Sequence, residues 1–360
     1  MAQSHDTSQS VSSMESASPA PSWRGPLFVI GPWRSGTSLL YALLNKHPQI
    51  GLMYEGDLYL LRPLFWRPGA GSRWLARWDF WNQGFKRHKL NAERIPMNIS
   101  RLPTAMETLY KECARQKGAL IWGEKSPHLL RHPPTRLFRD FPDARFIVIW
   151  RNPAAICKSV IRIGREEKSF FGRTGMIHRT LLGYKRLRVE CDRLVSQGAL
   201  VHEIQYETLV KNPADTMADV CKFLGVRFFP GIASLEGADR SAIYEGQHHS
   251  LVKSESIVSS PEPSDALPSD LKSKIERYVS LWREQSGGKW PILSSPQNGD
   301  SGKPSLRERI LDQALYRCLR AFDSLVVFIY CFAPFWLLKR FRDFKRRYEP
   351  GFREVGGLSQ

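Results

Sequence analysis

The chain has 360 residues and a net charge of +18. That length permits one large α/β domain, and the basic balance suits a polyanionic ligand and an anionic bilayer. No nucleic-acid module or regular basic helix accompanies the charge, which excludes nucleic acid as the expected partner. The six cysteines include no C-x-x-C pair, so neither a zinc site nor a disulfide framework is expected, and reduced thiols fit a cytoplasmic protein.

Residues 1–24 hold eight serines and almost no large apolar residue, which reads as a disordered start without the features of a secretory signal. The apolar run Leu27-Phe-Val-Ile30 then predicts a strand that feeds Gly31-Pro-Trp-Arg-Ser-Gly-Thr-Ser38. These two glycines keep the G-x-x-x-x-G spacing of a phosphate-cradling loop, with Thr37 where a nucleotide triphosphatase carries its lysine. Leu39 to Leu44 reads as a helix. Its N-terminus, the loop N–H groups and the donor fork of Arg34 would converge on a tetrahedral anion.

Further along, His47 ends the first helix. Between residues 62 and 85, Phe65, Trp66, Trp74, Trp78, Phe80, Trp81 and Phe85 are interleaved with Arg62, Arg67, Arg73 and Arg77. That stretch admits an acceptor lid, a helix packed through its tryptophans, or an interfacial patch. Thr104-Ala-Met-Glu107 has the form of a capping box opening a helix. Ala119 to Trp122 predicts a strand that leads to Glu124-Lys125-Ser-Pro-His128, with Glu124 read as the partner of a nearby cation. Arg145-Phe-Ile-Val-Ile-Trp150 predicts a strand buried on both faces. Asn152-Pro153 then opens a helix, which puts Arg151 at the strand end and Ser159 two turns on. Gly198 to Tyr206 supplies another strand, and a helix ends at Phe223-Leu-Gly225. Strands alternating with helices predict a parallel sheet covered on both faces.

Beyond a linker at 291–305, residues 306–348 form an apolar and basic helical segment, with a tail at 349–360. The uncharged run from Ser324 to Leu338 is short of a spanning helix. A monotopic or re-entrant attachment around Pro334, with residues 320–347 on a membrane surface, fits better. The bland alternative is a helix packed on the domain.

The loop Arg34-Ser35-Gly36-Thr37-Ser38 resembles the 5′-phosphosulfate loop of the sulfotransferase family, and the resemblance extends in order over residues 25–290. It implies a P-loop-like α/β fold and 3′-phosphoadenosine 5′-phosphosulfate (PAPS) as sulfuryl donor, with no metal. Arg151 and Ser159 match the pair that holds the donor's 3′-phosphate. Lys125 matches the lysine beside the bridging oxygen. Tyr206-Glu-Thr-Leu209 resembles the family's Tyr-Glu-x-Leu element, with Tyr206 by the adenosine or packed. For the base, the tyrosylprotein branch places a glutamate where Glu55 stands, and His128 competes by analogy with the cytosolic branch. Lys253, Ser256 and Gly287-Gly-Lys289-Trp290 are loose matches to the last donor-binding loop. The implied function is a PAPS-dependent sulfotransferase acting on a hydroxyl of a carbohydrate, lipid or other acceptor. A P-loop kinase or hydrolase would require a lysine at position 37. A non-catalytic membrane adaptor would bind the donor without turning it over.

Overall fold

The structure, a computed structural model, describes residues 23–66, 73–96, 98–127, 133–166, 174–243, 252, 254–257, 272–273, 275–276 and 306–340. Residues 1–22 of the serine-rich start, His128, Lys253, the 287–290 motif, the 291–305 linker and the basic tail from 341 lie outside them.

Five segments form five parallel strands: β1 (Pro26–Ile30), β2 (Ile50–Tyr54), β3 (Ile121–Lys125), β4 (Arg145–Trp150) and β5 (Leu200–Gln205). Their order is β2-β3-β1-β4-β5. Strand alternation divides β1 between two cores. Leu27 and Val29 pack with α1 (Thr37–Leu44), α8 (Tyr206–Lys211) and α9 (Pro213–Leu224). Phe28 and Ile30 pack with α4 (Leu102–Arg115), α5 (Pro134–Asp140), α6 (Pro153–Glu166) and α7 (Thr174–Ser196). Helices therefore cover both faces, as expected where β1, β2 and β4 are apolar and buried over nearly their whole length, while the edge strand β5 is largely half-buried or exposed. The chain runs outward from β1 to β2, returns through β3, and only then proceeds to β4. That reversal opens a crevice at the carboxyl end of β1.

Local signals set most boundaries. Pro153 opens α6, and Asn152 Oδ1 accepts from the Ala154 N–H at 2.8 Å. Gly225, at φ 69°, ends α9 in the left-handed region that glycine tolerates. The capping box expected at Thr104 is not used. The helix starts three residues earlier, with Arg101 rather than Thr104 at its N-cap, because Pro103 sits in its first turn, where no N–H is needed. Thr108 Oγ1 donates back to Thr104 O inside the helix.

The aromatic stretch divides into a 3-10 segment (Leu58–Trp66), α2 (Arg73–Asn82) and α3 (Gly84–Arg87). Trp74 and Trp78 are wholly buried while Trp66 is exposed, so α2 is a helix packed through its tryptophans. The C-terminal α10 (Leu306–Phe332) lies against the 3-10 segment and stops before Pro334. A new turn starts there, with Leu337 and Leu338 N–H donating to Pro334 O. Arg77 from α2 donates to Tyr330 O at 2.7 Å and to Ala333 O at 2.8 Å, Trp81 stacks on Tyr330, and Cys331 and Leu338 are buried. No described helix is long and apolar enough to cross a membrane.

Candidate active site

All five strands deliver a singled-out residue at their carboxyl ends. The Gly31–Ser38 loop follows β1, Glu55 follows β2, Lys125 ends β3, Arg151 follows β4 and Tyr206 follows β5. In an open parallel sheet this is the edge where ligands bind.

The loop doubles back with Arg34 at φ 70° and Gly36 at φ 97°. A side chain at Gly36 would place its Cβ 2.4 Å from the Tyr206 ring, and one at Gly31 would lie 2.5 Å from Ser35 Oγ. Glycine is therefore required at Gly36 for both its backbone angle and the close approach. No side chain caps α1, so its first-turn N–H groups, including those of Thr37 and Ser38, face the loop. Arg34 Nε donates to Ser159 Oγ at 3.2 Å, which bridges the loop to α6. Arg151 Nη1 donates to Arg34 O at 3.1 Å, and its guanidinium lies 4.3 Å from the Tyr206 ring centre. Burial holds the Arg151 guanidinium below its ordinary pKa. Ser35 Oγ and Arg151 Nε are buried and lack hydrogen-bond partners among the described residues. Orphaned donors beside a helix N-terminus fit an anionic ligand.

A second cluster adjoins the first through Ser38. Lys125 Nζ donates to Ser38 Oγ at 3.2 Å and to Glu55 Oε1 at 2.5 Å, and it sits 4.1 Å from the Tyr54 ring centre. Tyr54 Oη and Ser38 Oγ are 2.8 Å apart. Burial lowers the Lys125 pKa, and the Glu55 carboxylate opposes that shift. The sequence brought Arg34, Ser35, Gly36, Thr37, Ser38, Glu55, Lys125, Arg151, Ser159 and Tyr206 into view, and the fold gathers these ten at one sheet edge. His128 lies outside the described residues, and the exposed Ser256 bonds through its carbonyl to Ser254 Oγ at 2.7 Å. His47 does not end α1, which gives way at Asn45. Its Nε2 lies 3.0 Å from Arg227 O and its Nδ1 accepts from Gln49 N–H, so it ties down a buried turn.

The Glu55 loop is held in a costly conformation, with Glu55 at φ 47° and Asp57 at φ 48°. Its carbonyls are gripped from the aromatic segment. Arg87 donates to Tyr54 O and to Glu55 O, while Trp78 Nε1 (2.8 Å) and Asn82 Nδ2 (3.0 Å) both donate to Gly56 O. Beneath the loop, Glu124 accepts the Asp57 N–H at 2.7 Å and the Tyr110 hydroxyl. Asp57 Oδ1 accepts from Ser126 at 2.7 Å and from Tyr59 at 3.0 Å. The expected cation partner of Glu124 is thus replaced by a phenol and an amide. Burial and the nearby Asp57 push its carboxyl up to about 8. These supports escaped the sequence reading. Their one trace is the i, i+4 spacing of Trp74, Trp78 and Asn82, which marks a single packed helix face.

A family model described as the sulfotransferase family matches residues 26–230. A Caenorhabditis briggsae protein bearing the name of a protein-tyrosine sulfotransferase is 23% identical over 212 residues, which are 56% of this chain and 66% of that protein, just under two thirds of its length. Among solved structures, the sulfotransferase domain from the curacin biosynthetic pathway superposes with a TM-score of 0.50 at 22% identity, over 74% of this chain and 99% of that one. The sulfotransferase domain of the Synechococcus PCC 7002 olefin synthase gives a TM-score of 0.48 at 18% identity, over 76% and 98%.

Proposed function

The chain belongs to the sulfotransferase family, and on that premise we propose that it moves the sulfuryl group of PAPS to a hydroxyl of a carbohydrate, lipid or other acceptor. One observation carries the reading: Ser38, at the end of the anion loop, accepts from the same Lys125 that pairs with Glu55. Loop and ion pair thereby share one centre.

In this reading the loop N–H groups, Arg34, Ser35, Gly36, Thr37 and Ser38 hold the 5′-phosphosulfate. Arg151 and Ser159 hold the 3′-phosphate, and Tyr206 lies by the adenosine. Glu55 takes the acceptor's hydroxyl proton as the new O–S bond forms and the S–O bond to phosphate breaks in line. Adenosine 3′,5′-bisphosphate departs. Lys125 and Arg34 neutralise the charge that builds on the bridging oxygen, a role that asks for positioning and electrostatics rather than covalent chemistry. The ion pair with Lys125 fixes the Glu55 carboxylate beside Ser38 of the loop, in position to take that proton. Attachment to a membrane surface through residues 320–347 belongs to the same reading, supported by the uncharged run that ends at Leu338 and the six basic residues of 339–347.

The test is calorimetric binding of adenosine 3′,5′-bisphosphate beside adenosine 5′-phosphate and Mg·ATP, followed by an acceptor screen with labelled PAPS. The bisphosphate should bind tightest. Arg151→Ala should weaken it about tenfold or more, the worth of one charge-assisted contact, while sparing adenosine 5′-phosphate. Glu55→Gln should keep bisphosphate binding and lose turnover. Tighter Mg·ATP binding would overturn the reading, and undiminished turnover in Glu55→Gln would move the base elsewhere.

A further inference from the structure

The C-terminal helix carries apolar residues on two faces, and among the described residues only one of them is covered. Cys331 is buried against the 3-10 segment, where its Sγ donates to Leu60 O at 3.4 Å, and Leu338 is buried after the Pro334 turn. On the other side of α10, Leu325, Phe328 and Ile329 follow i, i+3, i+4 spacing and stand 55%, 57% and 37% exposed. Past the turn, Trp336 and Leu337 stand 62% and 43% exposed, whereas Phe335 lies edge-on to Phe80 and under the Arg77 guanidinium. Large apolar residues left exposed this close together along the chain mark a contact surface.

Charge identifies the occupant. Lys339 and Arg340 are exposed directly after the patch, with the Arg340 guanidinium 5.8 Å from the Trp336 ring centre. Four more basic residues follow by residue 347 against a single acid, Asp343. Phenylalanine, tryptophan and leucine beside a one-signed basic cluster match the boundary between anionic headgroups and acyl chains. A helix whose uncharged stretch is too short to span suits that boundary instead.

We propose that the exposed residues Leu325, Phe328, Trp336, Lys339 and Arg340 dock the protein on an anionic lipid bilayer. This rests on the membrane attachment proposed above and names the lipid class and the face. The docked helix is held by Arg77 of α2, the helix whose Trp78 and Asn82 grip Gly56, so the bilayer contact and the Glu55 loop share one support.

The experiment is co-sedimentation of the full chain with phosphatidylcholine vesicles and with vesicles that also contain phosphatidylglycerol. Wild type should bind the mixed vesicles at least tenfold more tightly, and the preference should shrink in high salt. Phe328→Asp/Trp336→Glu should abolish binding, and Lys339→Glu/Arg340→Glu should remove the preference. These side chains are exposed, so circular dichroism should match wild type, and binding of adenosine 3′,5′-bisphosphate should be unchanged. Equal affinity for both vesicles would overturn the lipid class. Binding to neither would overturn the docking face. A concentration-dependent dimer broken by the same substitutions, with no vesicle binding, would assign the face to a second copy. Each failure is separable from that of the transfer reading, which stands or falls on the bisphosphate.

Discussion

Lys125→Met is the sharpest probe of the site's electrostatics. The Lys125 side chain is 1% exposed and that of Glu55 10%, so the substitution strips a carboxylate of its ammonium partner where little water can replace it. Breaking a buried ion pair from one side costs about 3–5 kcal/mol, and the residual solvent contact of Glu55 places this case near the lower bound, about 3 kcal/mol. For a domain of this size about 2–4 °C of melting temperature goes with each kcal/mol, so a fall of about 6–12 °C is expected. Glu55→Gln should lose stability as well, because it leaves a buried ammonium facing a neutral amide. The Lys125→Met/Glu55→Gln double variant should lose less than the two singles combined, since removing both charges removes the unpaired ion. Calorimetric melting of the four proteins closes the cycle. If each single variant melts within about 2 °C of wild type, or if the double variant loses the full sum, the pair is not coupled as its geometry implies.

Three further outcomes follow from the geometry. Gly36→Ala should cost about 1–2 kcal/mol for its left-handed backbone. It should also weaken adenosine 3′,5′-bisphosphate binding by displacing the Tyr206 ring that lies under Arg151; unchanged melting and affinity would refute the packing argument. Folded Glu124 keeps a proton up to about pH 8 that an unfolded glutamate releases near 4.5. The folded state therefore binds more protons across that window, and stability should fall as pH rises through it. Glu124→Gln should flatten that fall in urea titrations at several pH values, and an identical slope in both proteins would assign it to other groups. Arg77→Ala should speed amide exchange in residues 328–333 by about tenfold or more, because two carbonyls lose a charged donor, while the strands stay protected. Equal acceleration in the sheet would mean global destabilisation instead.

What the sequence disclosed was whatever obeys short-range rules. The run Arg145–Trp150, the proline at 153 and the glycine at 225 each fix a boundary through their own backbone chemistry. The loop glycines, Arg151 and Ser159 could be placed because strand ends and helix turns carry them to predictable positions. The supports of the Glu55 loop could not be placed this way. Arg87, Trp78 and Asn82 act on backbone carbonyls 22 to 33 residues away, through donors whose targets have no residue identity. Glu124 was misassigned for a related reason. The nearest cation in sequence is Lys125, but adjacent strand residues point to opposite faces, so Lys125 meets Glu55 while Glu124 turns toward Tyr110. The aromatic stretch read three ways because tryptophan serves a lid, a core and an interface equally well, and only burial separates Trp74 and Trp78 from Trp66.

The grip of Arg77 on Tyr330 and Ala333 joins residues 253 and 256 positions apart, and the Cys331–Leu60 contact joins residues 271 apart. Closing a loop of that length costs about 5 kcal/mol in chain entropy, and on the ribosome it cannot close early. At about 5–20 residues per second, α2 is synthesised roughly 10–50 s before the helix it clasps. Throughout that interval the Arg77 guanidinium and the apolar surface of the 3-10 segment remain in water. The scaffold behind Glu55 is therefore among the last parts of the fold to mature. A nascent chain paused before residue 330 would have synthesised every strand of its parallel sheet and its anion loop, but not the clasp that holds α2.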